Sequence, residues 1–256
     1  MKIPRAPHRW RLTPAQAIEV QRRLRGSVRL VPAAVPDRIA GIDCAFLDDA
    51  IITVAVVWDV RRSEVLEVRS ARAPLAFPYV PGLLSFREIP VMLAALRRLD
   101  TPVGGILCDG QGIAHPRRFG LASHLGLIVG LPALGCAKSR LCGTYREPGR
   151  RRGSVAPLMD GTERIGTVLR TRDGVRPVFV SPGHLCDHES SVEWVLACGA
   201  GFRLPEPTRL ADRLVARYRK TGRLRGGLTG AVEWHFQAAA RPGFTTRETP
   251  RSGLVR

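Results

Sequence analysis

Between Arg38 and Ala73 three runs rich in β-branched residues, RIAGIDCAF, IITVAVVWDV and EVLEVRSARA, follow one another with only short polar breaks. Runs of this composition are strands, and breaks this short leave no room for a crossover, so the three form an antiparallel meander. After the proline-rich loop PLAFPYVPG, the segment LLSFREIPVMLAALRRL repeats its apolar residues at helical spacing, with Pro90 as a point for a kink. A strand-like GGILCD, a helix from about Pro116 to Val129 and a second strand-like PALGCAKS then read as a βαβ crossover. The fold class is α/β, with Asp109 at the carboxyl end of a buried strand, where open α/β sheets carry their sites.

The flanks are simpler. PAQAIEVQRRLRG begins with Thr13 as cap and Pro14 as first helical residue and ends at Gly26, an amphipathic helix with an arginine-rich polar face. Further on, YREPGRRRGSVAPLMDG reads as a basic loop. RIGTVLRTRDGVRPVFVSPG reads as a hairpin turning at Asp173-Gly174, and helices are expected around 187–198 and 207–220. From about Gly222 a basic, glycine-containing tail is expected, in which EWHFQ is the one segment suited to local docking. The organisation is therefore a basic N-terminal helical segment (1–35) packed on a central α/β domain (36–221), followed by a basic tail (222–256), with no internal repeat.

Forty Lys and Arg against 22 Asp and Glu give a net charge of +18 and a pI near 11.2. An excess of this size suggests a polyanionic partner, most often nucleic acid. A general preference for arginine is the competing source, because only Lys2, Lys138 and Lys220 are lysines. The six cysteines sit mostly in apolar runs without a CxxC pair, which argues for reduced thiols and against a zinc ribbon. No run approaches the ~20 apolar residues of a membrane span, and MKIPRAPHRWR lacks the apolar core of a signal peptide. A cytoplasmic protein without membrane association is the expectation.

Three carboxylates interrupt or close apolar elements: Asp43 inside IAGIDCAF, Glu88 in the first turn of the helix after PYVPG, and Asp109 at the end of GGILCD. A charge within a core strand is costly unless paired or metal-bound. In one mixed sheet Asp43 and Asp109 would be neighbours, with Glu88 on the helix between their strands, and such hard oxygen ligands suit Mg²⁺ or Mn²⁺. Each acid also has a plain alternative: Asp43 pairing with Arg38, Glu88 favouring a helix N-terminus, Asp109 capping a glycine-rich turn.

The motifs GIDCAF, PYVPG, LSFRE, DGQGIAHPRRFGLASHLG, AKS and RLPEPTRLAD, in this order from about Ile39 to Asp212, resemble the endonuclease V family. The resemblance implies an RNase H-like fold with a five-stranded mixed sheet flanked by helices. It also implies an endonuclease dependent on Mg²⁺, with Mn²⁺ as a substitute, that recognises deoxyinosine in DNA. Such enzymes hydrolyse the second phosphodiester bond 3′ to the lesion and leave 3′-hydroxyl and 5′-phosphate ends. By motif, Asp43 and Asp109 are metal ligands, Glu88 and Asp212 complete the acidic site, and Lys138 places a cation beside the scissile phosphate. Tyr79, on a loop stiffened by Pro78 and Pro81 and closed by Gly82, is the wedge that fills the space of an extruded nucleotide. Gly110 and Gly112 let backbone amides approach a base or phosphate, and His115, Arg117 and Arg118 meet the nucleic-acid backbone beside a helix N-terminus. For His115, orienting a neighbouring ligand is the competing role. His124, two turns along that helix, is structural, and His184 either touches substrate or caps a helix. Cys186, Asp187 and His188 depart from the apolar or hydroxyl residues usual in the family, and GRRRG at 149–153 goes beyond its compact members.

Three other readings stay open: an endoribonuclease for inosine in RNA, a non-catalytic nucleic-acid-binding protein on the same fold, and another RNase H-like nuclease such as a resolvase. The expected partner is deoxyinosine-containing DNA, or inosine-containing RNA, bound by a monomer.

Overall fold

The computed structural model describes residues 1–221; the basic stretch from Gly222 and its EWHFQ segment lie outside the described residues. Helix α1 (Pro14–Leu24) starts at a capping box in which Thr13 accepts from the Gln16 amide while Gln16 bonds back to the Thr13 amide, with Pro14 at the first helical position. A 3₁₀ turn over Arg25–Ser27 ends it.

The meander forms as its short breaks require. β1 (Arg38–Phe46) pairs antiparallel with β2 (Ala50–Asp59) from Arg38↔Asp59 to Phe46↔Ile51, and β2 pairs antiparallel with β3 (Glu64–Pro74). After α2 (Leu84–Arg97), β4 (Gly105–Cys108) joins β1 in parallel, and α3 (Leu121–Val129) carries the chain to β5 (Ala133–Ala137), parallel to β4. Then come β6 (Val155–Asp160), β7 (Glu163–Leu169), β8 (Val178–His184), α4 (His188–Ala197) and α5 (Glu206–Thr221).

The mixed sheet has eight strands in the order β3-β2-β1-β4-β5-β8-β7-β6, not the five expected. The meander and the crossover fill the first five positions; the expected hairpin (β7 and β8) and β6 add three more, with β8 covering antiparallel the edge that β5 would otherwise leave open. Alternation along the strands builds two cores. Ile39, Val54, Val56 and Leu107 face α4 and α5, while Ala40, Ile42, Ala55, Ile106 and Cys108 face α2 and α3. A smaller cluster joins Ala17, Val20 and Leu24 of α1 to Phe77, Leu83, Phe86 and Phe119.

Three local expectations change. VAPLMD, read as loop, is the edge strand β6. Helix α3 begins at Leu121 after Gly120, five residues later than read. His124 therefore lies in the first turn of α3, fully buried, between Ser85 Oγ at 3.0 Å and His8 Nε2 at 2.7 Å. Glu88 is the fifth residue of α2, past its first turn, so a helix N-terminus does not account for it. All six cysteines are free. Among the described residues no helix is long and apolar enough to cross a membrane.

Candidate active site

Asp43 shares the β1 face of Ile39 and Gly41, the face that receives α5. Helix α5 can approach because residue 41 is glycine: a Cβ there would stand 2.1 Å from the Pro207 carbonyl carbon. That close approach brings Asp212 of α5 to Asp43. Asp109 is the first residue beyond β4 and Lys138 the first beyond β5, at the carboxyl ends of two adjacent parallel strands. Carboxylate oxygens of Asp43, Asp109 and Asp212 lie within 4.8 Å of one another, and Lys138 Nζ sits 3.3 Å from Asp109 and 3.1 Å from Asp212. Arg38 is five residues from Asp43, hence on the opposite face, which removes it as a partner.

The electrostatics are those of crowded, poorly compensated acids. Burial, then Asp109 and Asp212, push Asp43 up to about 7, even though a backbone hydrogen bond and Lys138 pull the other way. Glu88, 6% exposed, is pushed up to about 8 by burial and by Asp43 and Asp109. Asp109 is also raised by burial, with Lys138 opposing. Among the described residues Lys138 is the one cation in ion-pair contact with this group, and it reaches Asp109 and Asp212 but not Asp43. Three hard oxygen donors within 4.8 Å of one another, held against their own repulsion, fit a divalent cation of the Mg²⁺ or Mn²⁺ type.

Beside the acids lies a cavity of about 390 Å³. Its walls are the 79–82 loop, Ser85, Asp109–Gln111, His115 and residues 137–141, so Tyr79, Pro81, Gly82, Gly110, His115 and Lys138 all border one space. Tyr79 is 73% exposed at its mouth, with the Arg87 guanidinium 6.0 Å from the ring centre. His115 is buried; its Nδ1 accepts from the Arg117 amide, so Nε2 carries the hydrogen that goes to Gly82 O at 3.0 Å. Burial and Arg117 push it down to about 4, and the ring is neutral.

Four expected contacts fall elsewhere. Gly112 is packed under β8, where a Cβ would stand 1.9 Å from Pro182 O; its lack of a side chain serves packing rather than a ligand. Arg118 donates to Asp160 and Glu163, both at 2.8 Å, and holds the β6–β7 hairpin instead of reaching outward. Arg117 turns inward to Gln21 and Gly82. His184 Nδ1 accepts from the Arg29 amide at 3.3 Å and caps no helix; α4 is capped by Asp187. The departure at 186–188 is thus local to that cap.

Sequence reasoning passed over Gln21, Gln111, Ser139, Arg140 and Leu141, which also line the cavity. Gln21 carried a signal: it follows Ala17 by one helical turn, a polar residue on the stripe that α1 buries.

Sheet order, crossover and acids at the strand ends define an RNase H-like α/β protein with an acidic centre. The endonuclease V family model matches residues 22–213. Endonuclease V of Alkalilimnicola ehrlichii is 51% identical over 216 residues, spanning 83% of this chain and 95% of that protein. The crystal structure of endonuclease V from Streptomyces avermitilis superposes with a TM-score of 0.80 at 47% identity, covering 86% of this chain and 99% of that one. Ciona intestinalis endonuclease V, solved in complex with a 24mer DNA containing an inosine followed by a ribo-adenosine, shares the fold at a TM-score of 0.72 and 24% identity, covering 82% and 98%. The chain belongs to the endonuclease V family.

Proposed function

We propose that this protein is a metal-dependent repair endonuclease, monomeric and cytoplasmic, that recognises deoxyinosine in DNA and hydrolyses the second phosphodiester bond on its 3′ side, leaving 3′-hydroxyl and 5′-phosphate. The observation that carries the reading is the convergence of Asp43, Asp109 and Asp212 beside a cavity whose mouth holds an exposed aromatic.

Asp43, Asp109 and Asp212 would hold Mg²⁺, or Mn²⁺ in its place. A bound divalent cation there supplies a water of lowered pKa and neutralises charge developing on the phosphate. Lys138, bridging Asp109 and Asp212, keeps these two acids in place and presents positive charge where the phosphate enters. Glu88 holds a proton on its carboxyl at neutral pH while the aspartates are uncompensated. Tyr79 fills the gap left by the extruded nucleotide, whose base enters the cavity; unstacking costs a few kcal/mol, which a stiff wedge offsets. Pro81, Gly82, Gly110 and His115 shape that cavity.

Inosine in RNA is the second reading, which contacts to a 2′-hydroxyl would decide. Matched strands carrying deoxyinosine, inosine in RNA, or adenine, incubated with Mg²⁺ or EDTA and mapped on a gel, test both. A metal-dependent nick one nucleotide beyond deoxyinosine is expected. A cut confined to RNA would move the function to RNA metabolism, and tight binding without any cut would leave a non-catalytic binder.

A further inference from the structure

The carbonyl of Gly82 closes the loop that begins at Tyr79, and three side chains from two distant segments converge on it. Gln21 Nε2 donates at 3.0 Å, His115 Nε2 at 3.0 Å and Arg117 Nη2 at 2.8 Å, onto an oxygen with two lone pairs. Gln21 is 1% exposed, and its amide is used on both atoms: Nε2 also donates to Phe119 O at 3.0 Å, and Oε1 accepts from Arg117 Nε. One buried side chain on α1 therefore helps tie the Tyr79 loop to the 115–119 loop beside it.

The loop needs such a tie. Phe77, 5% exposed, anchors its entry in the small aromatic core, whereas Tyr79 itself is 73% exposed and contributes little to holding the segment. Gly82 adopts φ +77°, and a Cβ on it would stand 2.6 Å from Arg117 Nη2, so the exit fits this geometry only as glycine. Between the two anchors the loop makes its own turn, with the Leu83 amide donating to Val80 O at 3.0 Å. Gln21 lies one residue before the stretch matched by the family model.

We infer that Gln21 is a positioning residue for lesion recognition: by clamping Gly82 O together with His115 and Arg117, it fixes the Tyr79 loop against the cavity. The importance of that loop for recognition rests on the function proposed above; the clamp rests on the hydrogen bonds alone. It also gives the N-terminal helix a part in specificity, although none of its side chains reaches the acids in ion-pair contact.

Gln21→Met tests this, because methionine keeps the length and apolar packing and removes both donors and the acceptor. The full-length variant is compared with the parent in two measurements. In metal-free protein, amide exchange at Leu83 should accelerate about tenfold or more, as expected for a lost buried bond pair, while β1 and β4 keep their protection. In cleavage with Mg²⁺, the ratio of kcat/KM for deoxyinosine over adenine strands should fall about tenfold, chiefly through KM. Gln21→Glu keeps the acceptor for Arg117 but turns an oxygen toward Gly82 O, and should give no rescue. Unchanged Leu83 exchange, full function in Gln21→Glu, or an equal loss on both strands accompanied by a lower Tm would each overturn the inference. A parent enzyme that fails to discriminate deoxyinosine would overturn the functional reading instead, with the exchange measurement still deciding the clamp.

Discussion

Where β1, the end of β4 and α5 meet, three aspartates lie together beside one lysine, and the neighbouring Glu88 is raised by burial and by two of them. In the wing formed by β6, β7 and β8, by contrast, each prominent cation is paired with at least one acid. Arg170, 6% exposed, donates to Glu147 and to the carbonyls of Pro148, Gly149 and Val175; Arg118 takes both Asp160 and Glu163; Arg164 takes Glu189. Both regions gather charged groups, but the wing pairs its arginines with acids while the centre sets three aspartates against a single lysine. The wing uses charge to fix a fold, and the acid centre withholds compensation that a ligand must bring.

The sharpest break in this contrast comes from the acids. Asp43→Ala or Asp109→Ala should reduce single-turnover cleavage at least about a thousandfold, with a metal-free Tm no lower than the parent's because a repelling charge is gone. An active Asp43→Ala enzyme would sink the assignment of the centre. Arg170→Met should do the reverse. Its stranded carbonyls cost about 2–4 kcal/mol in urea unfolding, while the rate per folded molecule is retained. Stability against pH separates the regions next. Asp43 and Glu88 have folded-state pKa values, about 7 and about 8, above their ordinary 3.8 and 4.5. Their contribution is complete below about pH 4 and is lost as the pH rises through 7 and 8. Metal-free protein should therefore lose Tm between pH 4 and 8, Mg²⁺ should restore it at the alkaline end, and Asp43→Asn should flatten the slope; a Tm rising over that range contradicts the repulsion. The smallest effect is at Arg118. Arg118→Gln should cost about 1 kcal/mol of stability and leave the salt dependence of DNA binding unchanged. A phosphate ligand would instead lower the slope by roughly 0.9.

The meander and the crossover were legible because period, length and breaks agreed, and the acids because each interrupted an apolar run. Strand β6 was not: only Ala156 and Leu158 are well buried along it, Pro157 argues against a strand, and as an edge strand it tolerates that proline. The fate of Arg118 was hidden for the same reason, since its partners Asp160 and Glu163 lie 42 and 45 residues away on the hairpin that β6 makes. Asp212 and Lys138 entered through motif resemblance; nothing in their local sequence says that α5 descends onto Gly41. Gln21 shows a further limit, because a buried amide is recognisable as polar on an apolar face, but its partners come from loops 61 and 96 residues away.

The close approach at Gly41 also bears on how the protein is made. Asp43 and Asp109 are in place once β1 and β4 exist, whereas Asp212 arrives with α5, the last described element. A nascent or proteolysed chain that stops before α5 has two of the three acids and leaves Lys138 without its second partner. The third acid is thus the last to be synthesised, and chains cut short before α5 lack a complete blade.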